Sequence, residues 1–397
     1  MNDLYGAARR LDLVQFSPVR RVLERANELA GQGRDILHVE IGEPDFDTPS
    51  DIVEATVHAL AVEKRTHYPP NRGVLKLRNA ISDMLKEQFH VSYDGASEVL
   101  VTCGAAEAIF DAVMALVNEG DEVIVMTPAY MNYENCIRMA GASCMKVELL
   151  ESTGYQVDEA ALEAAVTERT RMIVLTNPNN PTGTVMNRES LQKIAAVARA
   201  HDLVVLSDEI YAAMHYGGEY VSFASLPGMK ERTVLVSGFS KCFAMTGWRI
   251  GYVACDARFY SQILKVHQYA TNCIPTFIQE GLAAGMRTEK TAMDVKAMVL
   301  TFDERRRMVL EMLSQVPGVS CSGADGAFYV FVNVSGTGLS GTEFAERLLE
   351  EQGVALVPGA AFGDGCRNCV RISYGTSIDV LDKALQRIRE FAAALCK

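Results

Sequence analysis

The stretch Thr233-Val234-Leu235-Val236-Ser237-Gly238-Phe239-Ser240-Lys241, with Arg249 eight residues further on in Thr246-Gly247-Trp248-Arg249-Ile250-Gly251-Tyr252, decides how this chain is read. An apolar run delivers a lysine to its end. A lysine held in a dry site sheds its proton, and a neutral amine forms a Schiff base with a carbonyl. Arg249 offers a planar fork that can hold a phosphate. The pair describes a site for an aldehyde that carries a phosphate. Either residue alone is equally a solvated surface group, so the reading rests on what surrounds them.

Outward from this stretch, short β-branched runs alternate with helical patterns. Val99-Leu100-Val101-Thr102 precedes a periodic segment from Ala105 to Val117, and Glu122 to Met126 precedes one from Tyr130 to Ala140. Met172 to Leu175 precedes one from Arg188 to Ala200, and Leu203 to Ser207 and Val234 to Val236 are further apolar runs. Continuous rather than alternating hydrophobicity means burial on both faces. Strands alternating with helices predict an α/β fold with a mostly parallel sheet covered on both sides. Beyond about Asp256 the pattern turns helical, with a long helix expected from Glu289 to Gln315. A smaller α+β unit follows: strands at Phe328 to Val334, Val354 to Val357 and Val370 to Ser373, helices at Thr342 to Gln352 and Ile378 to Ala394. The expected division is an N-terminal segment, 1–45, packing with the small domain; a large domain, 46–290; and a small C-terminal α+β domain, 291–397.

With 397 residues, a net charge of −12 and no long basic stretch, the chain offers no nucleic-acid face. Arg305-Arg306-Arg307 after Asp303-Glu304 reads as a solvated helix face. Met1 to Val14 has no apolar core of a signal peptide, and no run reaches the ~18–20 apolar residues of a membrane span. Ten cysteines without a framework spacing fit reduced thiols in a cytoplasm. Cys366-Arg367-Asn368-Cys369 has no second pair or histidine cluster, so no metal is expected.

Several strand ends carry candidate chemistry. Gly104-Ala105-Ala106 opens a helix, where small residues let backbone N–H groups approach a phosphate; an ordinary tight turn would look the same. Tyr130, just past Thr127-Pro128-Ala129, can stack on a flat ring or merely fill a core. Asn177-Pro178-Asn179-Asn180-Pro181-Thr182-Gly183 is a rigid loop that points an amide outward at the sheet edge where open α/β sheets bind ligands. Asp208, after Val204-Val205-Leu206-Ser207, places a carboxylate at the mouth of a dry core. It is either a helix N-cap or the partner of a buried cation. A pyridinium nitrogen would be such a cation, and pyridoxal 5'-phosphate (PLP) carries both that ring and the phosphorylated aldehyde. Tyr211 would lie near the ring's phenolate oxygen. Arg371, inside the apolar run Val370 to Ser373, needs an anion, either a substrate carboxylate or an internal Asp or Glu.

Together these segments resemble the class I/II aminotransferases of PLP fold type I, the aspartate aminotransferase superfamily. The resemblance runs in order from Gly42-Glu43-Pro44-Asp45-Phe46 through Tyr68-Pro69-Pro70-Asn71-Arg72-Gly73, Asn179 to Gly183 and Ser240-Lys241 with Arg249, as far as Tyr374. It implies that Lys241 forms the Schiff base and shuttles a proton. It implies that Asp208 pairs with the pyridine nitrogen, that Tyr130 stacks on the ring, and that Asn180 and Tyr211 bond the phenolate oxygen. Gly104, Ala105, Ala106, Ser240 and Arg249 would bind the phosphate, joined by Tyr68 from the other subunit of a homodimer with shared sites. Gly42, Asn180 and Arg371 would hold the substrate α-carboxylate.

Two departures stand out. Gly238 replaces the serine that many relatives carry three residues before the lysine, leaving Ser237 or Ser240 to compensate. Ala106 stands where some aspartate-using relatives carry lysine, so no large advantage for aspartate is expected. The activity implied is transfer of an amino group from an L-amino acid to a 2-oxo acid such as 2-oxoglutarate, by a ping-pong route through pyridoxamine phosphate. The alternatives are a PLP-dependent C–S lyase or cyclising synthase on the same fold, and a regulator with an aminotransferase-like domain. The second would append a DNA-binding module, for which there is no room before Val19. Side-chain recognition is expected from loops such as that near Phe16 and the Pro358-Gly359-Ala360-Ala361-Phe362 turn.

Overall fold

The computed structural model describes residues 6 and 8–396, so residues 1–5 and 7 of the expected N-terminal segment, and Lys397, lie outside the described residues. The first strand, β1 (Leu37–His38), belongs to a small sheet described below. The next seven form the central sheet: β2 (Val99–Thr102), β3 (Glu122–Thr127), β4 (Ser143–Glu148), β5 (Thr170–Thr176), β6 (Val204–Asp208), β7 (Thr233–Gly238) and β8 (Gly251–Cys255). Their spatial order is β2-β8-β7-β6-β5-β3-β4. β8 runs against both of its neighbours and every other pair is parallel. Every residue of β2, β3, β6, β7 and β8 is buried, because helices cover both faces. β4 is the half-exposed edge, and its mixed sequence carries no apolar run that could announce a strand.

The parallel strands end on one edge of the sheet. Gly104 follows β2, Tyr130 follows β3, the Asn177–Gly183 loop follows β5, Asp208 closes β6, and Lys241 follows β7. Helices Gly104–Leu116 and Arg188–Ala200 begin and end within a residue of their expected bounds.

The C-terminal part holds β9 (Tyr329–Asn333), β10 (Val354–Ala355), β11 (Val357–Pro358) and β12 (Cys369–Ser373). The run expected as one strand from Val354 to Val357 is divided at Leu356. β10 pairs in parallel with β1, whereas β11 pairs antiparallel with β12 in a three-stranded sheet β11-β12-β9. Ala26 and Leu29 of helix Pro18–Gly31 pack on Leu349 and Ala355. The helix Gly341–Gln352 is opened by a reciprocal capping box between Ser340 and Glu343.

One expectation is overturned. Arg305 is not on a solvated face: it is 6% exposed, forks onto both carboxylate oxygens of Asp45 at 2.6 and 3.0 Å, and lies over the Phe46 and Phe302 rings. Arg306 pairs with Asp303 at 2.8 Å, and of the three only Arg307 is largely exposed. The charge run looked uniform because a string of cations does not reveal which one turns inward at helical spacing. Among the described residues no helix is long and apolar enough to cross a membrane.

Candidate active site

The strand ends enclose a cavity of about 430 Å³. Gly42, Ala105, Ala106, Tyr130, Asn180, Asp208, Tyr211, Ser240, Lys241, Arg249 and Arg371 all line it, together with Ser17 and, from the helix that follows it, Val19, Arg20 and Leu23. Gly104 adjoins it. A Cβ on Gly104 would lie 2.7 Å from the Arg249 guanidinium, and one on Gly251 would meet Gly104 and Ala105 backbone at 2.6 and 2.7 Å. The two glycines therefore let Arg249 reach the first turn of helix Gly104–Leu116, where unpaired N–H groups and the helix dipole favour an anion. Tyr68 is not among the lining residues. It stands 86% exposed on its own loop.

Lys241 donates to the Gly42 carbonyl at 2.5 Å. Burial pushes its ammonium down to about 8, helped by the cations Arg371 and Arg249 and opposed by Glu43. A lysine in that range is neutral often enough near neutral pH to act as a base or nucleophile.

Asp208 is not a helix N-cap: a turn follows β6, and its Oδ1 accepts from the Ile210 N–H at 3.1 Å. Its Oδ2 accepts from the Tyr133 hydroxyl at 2.6 Å, which also bonds Thr176 Oγ1 at 2.6 Å. Burial raises the Asp208 carboxyl to about 6 against the pull of Tyr133 and Ile210. Its neighbour Glu209 points to the opposite face, as strand alternation requires. There it accepts from Ser207, Ser222, Tyr220 and the Phe223 N–H. Glu209 is saturated, whereas Asp208 lines the cavity.

Arg371 is 4% exposed, and no carboxylate lies within salt-bridge range of it among the described residues, so the internal Asp or Glu is absent. It donates instead to Asn180 Oδ1 at 2.9 Å and the Glu40 carbonyl at 2.6 Å, and its Nε has no partner. The guanidinium lies over the rings of Tyr329 and Phe362, 4.5 and 5.1 Å from their centres. A buried cation lacking an anion is a site prepared for one.

Of the two serines near Gly238, Ser240 lines the cavity, while Ser237 donates to the Glu209 carbonyl at 3.2 Å and lines a separate cavity of about 380 Å³. A Cβ on Gly238 would lie 3.0 Å from Gly251 Cα, which leaves little room for a serine. Sequence reasoning missed Tyr133, Thr176 and Tyr329. Tyr329 places its hydroxyl 2.9 Å from that of Tyr211 and fills the space a Cβ on Gly42 would need. All three looked like core residues, and nothing in their local pattern separates the two cases. Phe16 is 93% exposed and lines a neighbouring cavity, and Phe362 sits against Arg371.

Comparisons with known proteins show the family of the chain. Residues 34–388 match the family described as aminotransferase class I and II. The aspartate aminotransferase of Pyrococcus abyssi is 39% identical over 382 residues, covering 96% of this chain and 97% of that protein. Aromatic-amino-acid aminotransferase 2 of Thermococcus litoralis is 36% identical over 382 residues, covering 96% and 97%. The solved Thermus thermophilus aspartate aminotransferase with maleate superposes at a TM-score of 0.93 and 36% identity, covering 98% of this chain and all of that one.

Proposed function

The chain belongs to the class I and II aminotransferases, and from that premise we propose that it is a PLP-dependent transaminase, a cytoplasmic homodimer moving the amino group of an L-amino acid to a 2-oxo acid such as 2-oxoglutarate. The observation that carries the substrate class is Arg371, a buried guanidinium without a carboxylate partner. Every α-amino acid and every 2-oxo acid brings a carboxylate of the right shape for its fork.

The residues present fit PLP. The glycine-lined first turn of helix Gly104–Leu116, with Ala105, Ala106, Ser240 and Arg249, would hold the phosphate. Asp208 would face the ring nitrogen, Tyr130 the ring, and Asn180 and Tyr211 the phenolate oxygen. When bound, PLP supplies an electron sink that weakens the Cα–H bond of an amino acid. Asp208 would keep the ring nitrogen protonated, and Tyr133 holds that carboxylate in place. Lys241 Nζ would take the proton from the substrate Cα and hand it to the aldehyde-derived carbon of the cofactor, since its amine is neutral in a useful fraction at neutral pH. Arg371, Asn180 and Gly42 orient the α-carboxylate so that the Cα–H bond faces Nζ. The N-terminal helix residues Val19 and Leu23 shield the mouth from water. Ten unpaired cysteines support a reducing compartment.

A panel of amino acids against 2-oxoglutarate tests the reading. Glutamate should form in step with the 2-oxo acid, with no release of ammonia or thiol; either release as the main product would favour a lyase. With Ala106 where a lysine would serve aspartate, no donor panel should show aspartate far ahead of aromatic or aliphatic donors. Arg371→Lys should lower kcat/KM for every donor by a similar factor, about tenfold to a hundredfold, since an ammonium cannot reproduce the fork. A loss confined to dicarboxylic donors would show that Arg371 reads the side chain.

Tyr68, exposed here, belongs to the site of the neighbouring subunit. A Tyr68→Phe chain paired with a Lys241→Ala chain should regain activity that neither homodimer has in full, because one site of each heterodimer then receives both intact residues. Verified heterodimers without recovery would refute the sharing.

A further inference from the structure

Three charged side chains with no part in the reaction meet beneath the phosphate turn. His267, on the helix Ala257–Ala270, is wholly buried. Its Nε2 lies 2.9 Å from the Asn71 carbonyl, and a carbonyl only accepts, so Nε2 carries a proton. Its Nδ1 lies 3.1 Å from Glu107 Oε1 and 3.7 Å from Asp111 Oδ2. Asp111 is also wholly buried, and neither carboxylate oxygen has a hydrogen-bond partner. Burial raises the Asp111 carboxyl, and a positive charge on the ring works against that rise and favours both carboxylates in their charged form. A second proton, on Nδ1, supplies it. Burial opposes that charge, but Asp111 and Glu107 outweigh it and raise His267 to about 9.

The ring grips two pieces of backbone. Glu107 stands in the first turn of helix Gly104–Leu116 and accepts from the Cys103 N–H, the residue before Gly104. Burial works to raise Glu107, yet His267, Thr271 and that N–H together hold it below the usual carboxylate range. Asn71 belongs to the loop that carries Tyr68, and its side chain donates to the Asn272 carbonyl at 3.0 Å. We propose that His267 is a positioning residue which, as an imidazolium between Glu107, Asp111 and Asn71, fixes the Gly104–Ala106 turn in the shape that receives a phosphate and ties the Tyr68 loop to it. The proposal rests on the reading that this turn holds the phosphate of PLP.

Cofactor-stripped protein titrated with PLP and with pyridoxal, which lacks the phosphate, tests it. The ratio of the two dissociation constants isolates what the phosphate contributes and cancels effects at Lys241. His267→Asn should shrink that ratio about tenfold or more, the size of one charge-assisted contact, with pyridoxal affinity nearly unchanged. Glu107→Gln keeps an acceptor for the Cys103 N–H but removes the charge that faces the ring, so it should shrink the ratio too, and it serves if His267→Asn does not fold. Glu107 and Asp111 are the titratable groups facing the ring, with the Thr271 hydroxyl and the Asn71 carbonyl beside them. In wild type the ratio should fall as pH rises through about 9, where His267 loses its charge, and His267→Asn should lack that limb. Equal weakening of both ligands would mark a merely structural role and overturn the proposal. A divalent metal bound in unit stoichiometry and lost in His267→Asn would overturn it as well, by putting a metal where the proton is placed. A wild-type ratio near one would show that the phosphate reading itself is wrong, and the proposal would fall with it.

Discussion

Lys241→Ala should lower kcat by about 10⁴-fold for every amino donor, because one substitution removes both a nucleophile and the proton carrier at Cα. The size follows from what the site does to this amine. An ordinary lysine is neutral in about one part in a thousand at pH 7.5, whereas one titrating at about 8 is neutral in about a quarter. The sign is that of a lowered lysine: the ammonium dominates below pH 8 and the amine above it. Wild-type single-turnover rates should therefore rise through that range and level off. Methylamine added to Lys241→Ala should restore part of the rate, with a pH dependence that follows the added amine. Borohydride treatment of PLP-loaded wild type should leave the cofactor on the peptide that contains Lys241. Label on another lysine, or a variant within tenfold of wild type, would remove Lys241 from the chemistry.

The sequence makes some of this architecture readable for a physical reason. β2, β3, β6, β7 and residues 172–176 of β5 are buried on both faces, so they are mostly apolar runs, and a polar residue at the end of such a run is conspicuous. Asp208, Lys241 and the Asn177–Gly183 loop stand out in that way. β4 and β1 do not, since an edge strand and a two-residue strand need no run. Tyr133 and Tyr329 escape for the opposite reason. Tyr329 sits inside an apolar strand and Tyr133 in a mixed helix, and they gain meaning only when folding brings Asp208 to the Tyr133 hydroxyl and Arg371 over the Tyr329 ring. Arg305 escapes because its partner Asp45 is 260 residues away in the chain. Long-range pairing of charges leaves no local periodicity, whereas burial of a whole strand does.

Asp208 should show two opposite effects that separate its service to the reaction from its cost to the fold. Asp208→Ala should lower kcat about a hundredfold, the usual loss when one electrostatic partner of a developing charge is removed, and should weaken cofactor binding far less. In cofactor-free protein the carboxylate is a burden. Its folded pKa is raised from 3.8 to about 6 by burial, so the folded chain binds that proton more tightly than the unfolded one. Stability attributable to this group is therefore present below about pH 4 and is lost as pH rises to about 6. A shift of about two units corresponds to at most about 3 kcal/mol. Asp208→Asn, which keeps an acceptor for the Tyr133 hydroxyl, should abolish that loss. Urea unfolding of cofactor-free wild type and Asp208→Asn should give similar stabilities near pH 4 and a more stable variant at pH 7. Glu209, also raised to about 6, is present in both proteins and cancels from the difference. With PLP bound the order should reverse, since the ring nitrogen gives the carboxylate the cation it lacks. A variant with near-normal kcat would refute the catalytic role. Parallel stability curves across this pH range would show that the buried carboxylate is already compensated within the chain.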